Sequence, residues 1–246
     1  MYDTVTAKHH VELMEALHSS CISRSVSESV MFKNKSFYIK KYREGRMEIK
    51  VTNGDVINSI LDATHRGKVC VINPGSYKTP GGKFLDGNTG KEETLCANST
   101  LYNVLSEFND TYYNSNREFT NKLLYANKAL YTPNILFTDN DGVAGMADVL
   151  TCTPPNKYGA MRYREVTEDE NRASLLSRID LILCIAEHMG VRNLILCDYG
   201  CNLYHQDPRE VAEIFKSQFN KHKSFDYVEF SIVGSGNYKI FEEVLR

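Results

Sequence analysis

This 246-residue chain has no apolar run near the roughly 18 residues that a membrane-spanning helix needs. Its N-terminal MYDTVTAKHHVELMEAL lacks a basic segment followed by an apolar one, so it does not read as a secretory signal. Charge of one sign is also missing. The 29 Lys and Arg nearly offset 31 Asp and Glu, and a net charge of −2 gives no global pull on nucleic acid. No internal repeat and no low-complexity tract is present. No G-x-G-x-x-G follows an apolar strand, which argues against a Rossmann dinucleotide site. Gly75 to Phe84 superficially resembles a phosphate-binding P-loop, but Tyr77 stands where the motif needs glycine and Phe84 where it needs Ser or Thr. The seven cysteines are odd in number, and several lie in apolar runs. That pattern predicts free, buried thiols in a reducing cytoplasm, not a disulfide framework.

Apolar content of 42% and charged content of 24% are ordinary for a globular protein. The length suits one large domain, or a domain with an extension. Periodicity predicts a helix over 8–20, a Ser-rich link over 19–29, and strands over 37–42 and 46–52 around a Glu44-Gly45 turn. A helix over 55–66 follows, capped from Asn53-Gly54-Asp55. Val69 to Ile72 reads as a strand buried on both faces. A helix then runs from Glu92 to Phe108, and the polar stretch 109–130 holds either a helix near 117–126 or a covering loop. Strands are expected over 135–137, 148–152, 194–198 and 227–233, with helices over 168–189, 208–222 and 237–245. Alternating strands and helices imply a mixed sheet covered on both faces.

The most informative stretch is Asn73 to Tyr102, NPGSYKTPGGKFLDGNTGKEETLCANSTLY. A strand runs into a loop with glycines at 75, 81, 82, 87 and 90, which ends in Glu92 and Glu93 at a helix start. Glycines let backbone N–H groups approach a ligand, and a helix start adds unpaired donors and positive dipole character. Together they suit an anion such as a diphosphate. Carboxylates beside an anion site suggest acid–base chemistry on the ligand's sugar. The second loop, 199–206, also leaves a strand end, so the two are expected to share a cleft at the carboxyl edge of the sheet.

These residues resemble the signature of the microbial-type poly(ADP-ribose) glycohydrolases. The signature N-P-G-G-G-F-L-x-G, Q-E-E-S-L-C and S-T-L-Y is matched by Thr79 to Gly87, Lys91 to Cys96 and Ser99 to Tyr102. The family's G-A-W-G-C-G-V-F-G-N-D-P is matched by Cys197 to Pro208. Tyr131 to Phe137 and Val149 to Asn156 match more weakly, and the likeness spans about residues 51 to 245. It implies a macrodomain-like, three-layer α/β/α fold over 51–246, with residues 1–50 as an accessory extension packed on the core.

The resemblance assigns Glu93 as the acid/base on the ribose–ribose linkage and Glu92 to a ribose hydroxyl. Adjacent helical residues point about 100° apart, so each can meet a different group. A general acid near neutral pH needs a raised pKa, and a helix N-terminus works against that. Asn73 is expected at the terminal ribose, or bonded to local backbone. Gly81 and Gly82 match the glycine triplet. Gly200, Cys201, Asn202, Leu203 and Tyr204 would form the diphosphate loop, with Tyr204 in place of a Phe on the distal ribose. The implied partner is ADP-ribose or an ADP-ribosylated substrate, with no cofactor, no metal, no membrane and no direct nucleic-acid binding.

Several positions depart from the pattern. Lys83 replaces the third glycine, where it would pair with a phosphate or obstruct the cleft. Lys91 replaces a Gln associated with the adenine side, and a Lys accepts no hydrogen bond. Asn202 and His205 replace glycines. The departures keep a second reading open, a non-catalytic module that binds ADP-ribose or a related nucleotide. Cys197, Cys201 and His205 as a metal trio would need a helix where Tyr199-Gly200 makes a turn. Cys96 reads as an inward-facing helix residue in preference to a nucleophile.

Overall fold

The computed structural model describes residues 3–35, 46–139 and 142–246. Its centre is β3 (Val69–Asn73), whose five residues are all buried because helices cover both faces. β3 pairs in parallel with β5 (Gly142–Thr151) on one side and with β6 (Asn193–Leu196) on the other. β7 (Tyr227–Ser231) and β2 (Glu48–Thr52) continue outward in parallel beyond β6. β4 (Lys128–Asp139) runs antiparallel to β5, and β1 (Val30–Lys33) antiparallel to β4. The sheet is therefore mixed, in the order β1-β4-β5-β3-β6-β7-β2.

Two apolar layers flank the sheet. On one face, α7 (Glu168–His188), α8 (Pro208–Phe219) and α9 (Ser235–Leu245) bury Leu175, Ile179, Ile182, Phe215 and Phe241. On the other, α1 (Thr4–Glu28), α2 (Val56–Thr64), α3 (Lys91–Ala97) and α4 (Leu101–Ser106) bury Ile57, Ile60, Leu95, Leu101 and Val104. The α/β/α layering and mixed sheet are those expected from the sequence. The capping signals also act as read. Asp55 accepts the Ile57 N–H at 2.7 Å, and Pro208 opens α8 behind an Asp207 cap.

Some local expectations change. The Ser-rich link over 19–29 is the second half of α1, kinked at His18, where φ is −132°. Its serines find partners that make helix tolerable, and buried Ser25 donates to the Pro133 carbonyl at 2.6 Å. The strand expected over 37–42 and its turn lie outside the described residues, while β1 lies where no strand was read. The single helix over 92–108 is two, α3 and α4. Residues 98–100 leave the helix because Thr100 N–H donates to Leu136 O at 3.0 Å and Thr138 N–H to Asn98 O at 2.9 Å, tying the break to β4. α5 (Asn114–Glu118) begins before the helix expected near 117–126, and left-handed residues 121–123 and 125 make the rest a loop. The loop after Pro154-Pro155 holds α6 (Lys157–Arg164).

Residues 1–50 contribute at both ends of the sheet. β1 and the first residues of β2 are edge strands, and α1 packs on β4 and α4.

Candidate active site

β3 and β6 are neighbours, in register from Val69↔Asn193 to Val71↔Ile195, so the loops that follow them leave the same edge of the sheet side by side. Between them opens a cleft of about 920 Å³. Its wall includes Gly82, Lys83, Lys91, Glu92 and Glu93 from the first loop and Gly200, Asn202, Leu203 and Tyr204 from the second. Nine of the twelve site residues read from the sequence thus meet around one space, and Asn73, Gly81 and Cys201 stand behind it.

The two carboxyls occupy different environments. Glu92 is 5% exposed. Its Oε2 accepts the Ser76 N–H at 2.7 Å and its Oε1 the Asn73 amide at 3.2 Å. Burial outweighs these bonds and, with the charge of Glu93 adding to it, pushes the Glu92 carboxyl up to about 8. Glu92 is therefore the sealed carboxyl of the pair. Glu93 is half-buried on the cleft wall, and its Oε1 accepts the Lys83 N–H at 2.9 Å.

The glycines explain how the loop wraps this pair. Gly82 has φ +61°, and a methyl group there would meet Glu93 Oε1 at 2.6 Å and Glu92 Oε2 at 2.9 Å. A methyl on Gly75 would meet Glu92 Oε1 at 2.6 Å. Gly81 instead backs onto the Tyr102 ring, away from the cleft. Asn73 is fully buried and donates to Glu92 and to Thr151 Oγ1 at 3.1 Å, so here it orients a carboxyl from behind.

Lys91 does not stand free. Its Nζ lies 2.7 Å from Asp198 Oδ1, and Asp198 is 1% exposed. Burial pulls the Lys91 ammonium down, but Cys197 and Asp198 together hold it above its usual value. The other Asp198 oxygen accepts amides from Asn237 at 2.7 Å and Asn202 at 3.3 Å. Two departures from the sequence pattern, Lys91 and Asn202, thus converge on a third, Asp198, which stands where the pattern has Ala. Lys83 is exposed on the rim, and no ion pair is recorded for it among the described residues.

The second loop is held as a tight turn. Gln206 N–H donates to Gly200 O at 3.2 Å, and its amide donates to Pro155 O at 2.9 Å. The left-handed positions are Gly200 (φ +79°) and His205 (φ +55°), so His205 keeps a conformation that favours the glycine it replaces, while Asn202 does not need one. Leu203 is 78% exposed at the rim. Tyr204 lies edge-on to Tyr125, which stacks on Tyr77 at 4.3 Å. Cys201 is half-buried against the α7–α9 layer. Cys197, Cys201 and His205 do not gather as a donor trio among the described residues, and His205 stacks on Tyr158 at 4.9 Å. Cys96 is fully buried, and burial pushes its thiol up.

Sequence reasoning missed the supports. Arg178 is 1% exposed on α7 and binds the carbonyls of Thr153, Leu124 and Tyr125 and the Asn127 amide oxygen. Thr153 Oγ1 in turn donates to Gly75 O at 2.8 Å, so one guanidinium braces both the Tyr125 segment and the glycine loop. No local pattern marks such a residue, because each partner is at least 25 positions away. Ser76, Thr89 and Pro154, also on the cleft wall, lie inside or beside the motifs without distinctive chemistry.

Comparison with known proteins places this arrangement. The sequence profile described as "Microbial-type PARG, catalytic domain" matches residues 3–139. Poly(ADP-ribose) glycohydrolase from Thermomonospora curvata superposes with a TM-score of 0.84 at 22% identity, covering 98% of each chain. The same enzyme bound to the inhibitor ADP-HPD gives 0.83. The Deinococcus radiodurans enzyme in complex with ADP-ribose gives 0.80 at 21% identity, covering 91% of this chain and 96% of that one. No curated protein matches the sequence. The structural likeness carries the fold alone, and the profile match covers more than half of the sequence. The chain belongs to the microbial-type poly(ADP-ribose) glycohydrolase catalytic-domain family.

Proposed function

We propose that the chain hydrolyses ribosyl linkages of ADP-ribose, in poly(ADP-ribose) or ADP-ribosylated conjugates, with Glu93 as a single acid/base. The observation that carries this is the split pair, one carboxyl sealed at the back of the cleft and its neighbour on the wall. In the first step Glu93 gives its proton to the leaving glycosidic oxygen as the C1–O bond breaks toward an oxocarbenium-like sugar. In the second it takes a proton from water as the water oxygen bonds to C1, which restores the acid. Ordinary glycosidases divide these roles between two carboxyls. Glu92, with its carboxyl raised to about 8, holds its proton at neutral pH and donates to a ribose hydroxyl.

The loop from Gly200 to Tyr204 would hold the diphosphate, with Tyr204 against the distal ribose. Lys83 supplies the cation for a phosphate, since Lys91 is committed to Asp198. Buried free cysteines fit a cytoplasmic setting.

The test is ADP-ribose release from poly(ADP-ribose), run beside calorimetric binding of ADP-ribose. Glu93→Gln is expected to lose about 10²–10⁴-fold in kcat while still binding ADP-ribose. Glu92→Gln resembles the neutral acid in shape and is expected to lose much less at pH 7. Comparable losses in the two variants would overturn the division of roles. Binding by the wild type without release would identify a binding module instead.

A further inference from the structure

A second cluster of donor groups lies outside the cleft. Asp180 and Cys184 stand one helical turn apart on the same face of α7, and His222 follows α8. Their ligand atoms all lie within 4.8 Å of one another, with Cys184 and His222 buried and Asp180 partly so. His222 Nε2 is 3.0 Å from Asp180 Oδ1, a separation that a shared metal tolerates. His222 Nδ1 is 2.7 Å from Glu187 Oε2. Glu187 is fixed in turn by the Ser224 hydroxyl at 2.9 Å and the Ser224 N–H at 3.4 Å. The ammonium of Lys35 meets Asp180 on its other oxygen, Oδ2, and leaves Oδ1 to the cluster.

We propose that Asp180, Cys184 and His222 form a mononuclear site for a thiophilic divalent cation, zinc above all. Thiolate, imidazole nitrogen and carboxylate oxygen are the donors that zinc selects, and three of them leave a fourth position for water. The Glu187–His222 contact supplies the outer carboxylate that fixes the imidazole tautomer in such sites, with Nδ1–H donating and Nε2 turned to the metal. On binding, the Cys184 thiol releases its proton to solvent, and so does Nε2 where it carries one. The cluster joins the later half of α7 to the segment entering β7, at the amino ends of β6 and β7. The cleft lies beyond their carboxyl ends, so the cation would staple the fold without entering the reaction.

The test uses the full chain, stripped with a chelator and titrated with Co²⁺ alone. One equivalent is expected to bind with a thiolate-to-cobalt charge-transfer band, and Zn²⁺ is expected to displace it. Zinc at a hundredfold excess over its Kd is expected to raise Tm by about 5 °C. Cys184→Ala should lose the band and the shift. Asp180→Asn, which keeps the side-chain shape at a partly exposed position, should bind at least tenfold more weakly. A wild type without the band would overturn the proposal, as would a band or a zinc shift that survives in Cys184→Ala. Either outcome leaves the reading of the cleft as it stands.

Discussion

Glu92 and Glu93 are adjacent in sequence, yet burial separates their chemistry. The sequence made the pair visible through the helix start and the family motif. It did not reveal which carboxyl would be sealed, because that depends on Ser76 and Asn73 arriving from the β3 loop and on the closeness of Gly75 and Gly82. The consequence is measurable as stability against pH. A carboxyl whose folded pKa is raised from 4.5 to about 8 contributes its full stability below about pH 4.5 and loses it progressively as pH rises toward 8. For a sealed group the loss is on the order of 5 kcal/mol. Glu92→Gln removes the titration. Urea unfolding across this range should therefore show wild type losing stability relative to Glu92→Gln as pH rises, with the difference levelling off above about pH 8. Parallel pH profiles for the two proteins would exclude a raised Glu92.

At the scale of elements, α3 and the turn after β6 are locked by the pair Lys91–Asp198. Read singly, Lys91 and Asn202 looked like losses of ligand recognition. Together they are the two faces of one buried carboxylate, which also holds Asn237 at the start of α9. The sequence displayed all four residues, but only the fold brings positions 91, 198, 202 and 237 together. Breaking such a pair from one side leaves an uncompensated charge. Lys91→Gln alone should destabilise the protein by about 3 kcal/mol, and Asp198→Ala alone by a smaller amount, since Lys91 can turn to solvent. The double variant should recover most of the loss, and a coupling energy above about 1 kcal/mol in the denaturation cycle is the expected sign. Additive losses would mean that the pair does not lock the elements. The same limit of local reading explains the helix expected over 92–108. Apolar residues lie on both sides of the polar Asn98-Ser99-Thr100, and the break there is set by the bonds to β4 and by the Ser99 hydroxyl, which accepts the Leu101 N–H at 3.1 Å.

Across the whole molecule, one sheet separates two apolar layers, and the five inner strands β4, β5, β3, β6 and β7 contribute to both. Strand alternation, capping residues and the two motifs made the layering and the cleft legible. The edges were less so, since short, exposed β1 gains its identity only by pairing with β4. This bears on whether residues 1–50 behave as a separate accessory unit. α1 buries Ala7, Met14 and Ile22, and Ser25 reaches the Pro133 carbonyl. His10 lies edge-on to Phe84 of the glycine loop, and Asn103 of α4 donates to Val11 O at 3.0 Å. These contacts tie the first helix to β4, α4 and the loop that wraps the two glutamates. A segment so joined should not melt by itself. Calorimetry should therefore give a single transition whose calorimetric and van't Hoff enthalpies agree. Removing residues 1–28 should lower Tm by several degrees and reduce kcat as well, because Phe84 loses the helix it leans on. An early, separate transition in the intact chain that disappears in the truncated one, with activity retained, would mean that the N-terminal segment is only appended to the catalytic core.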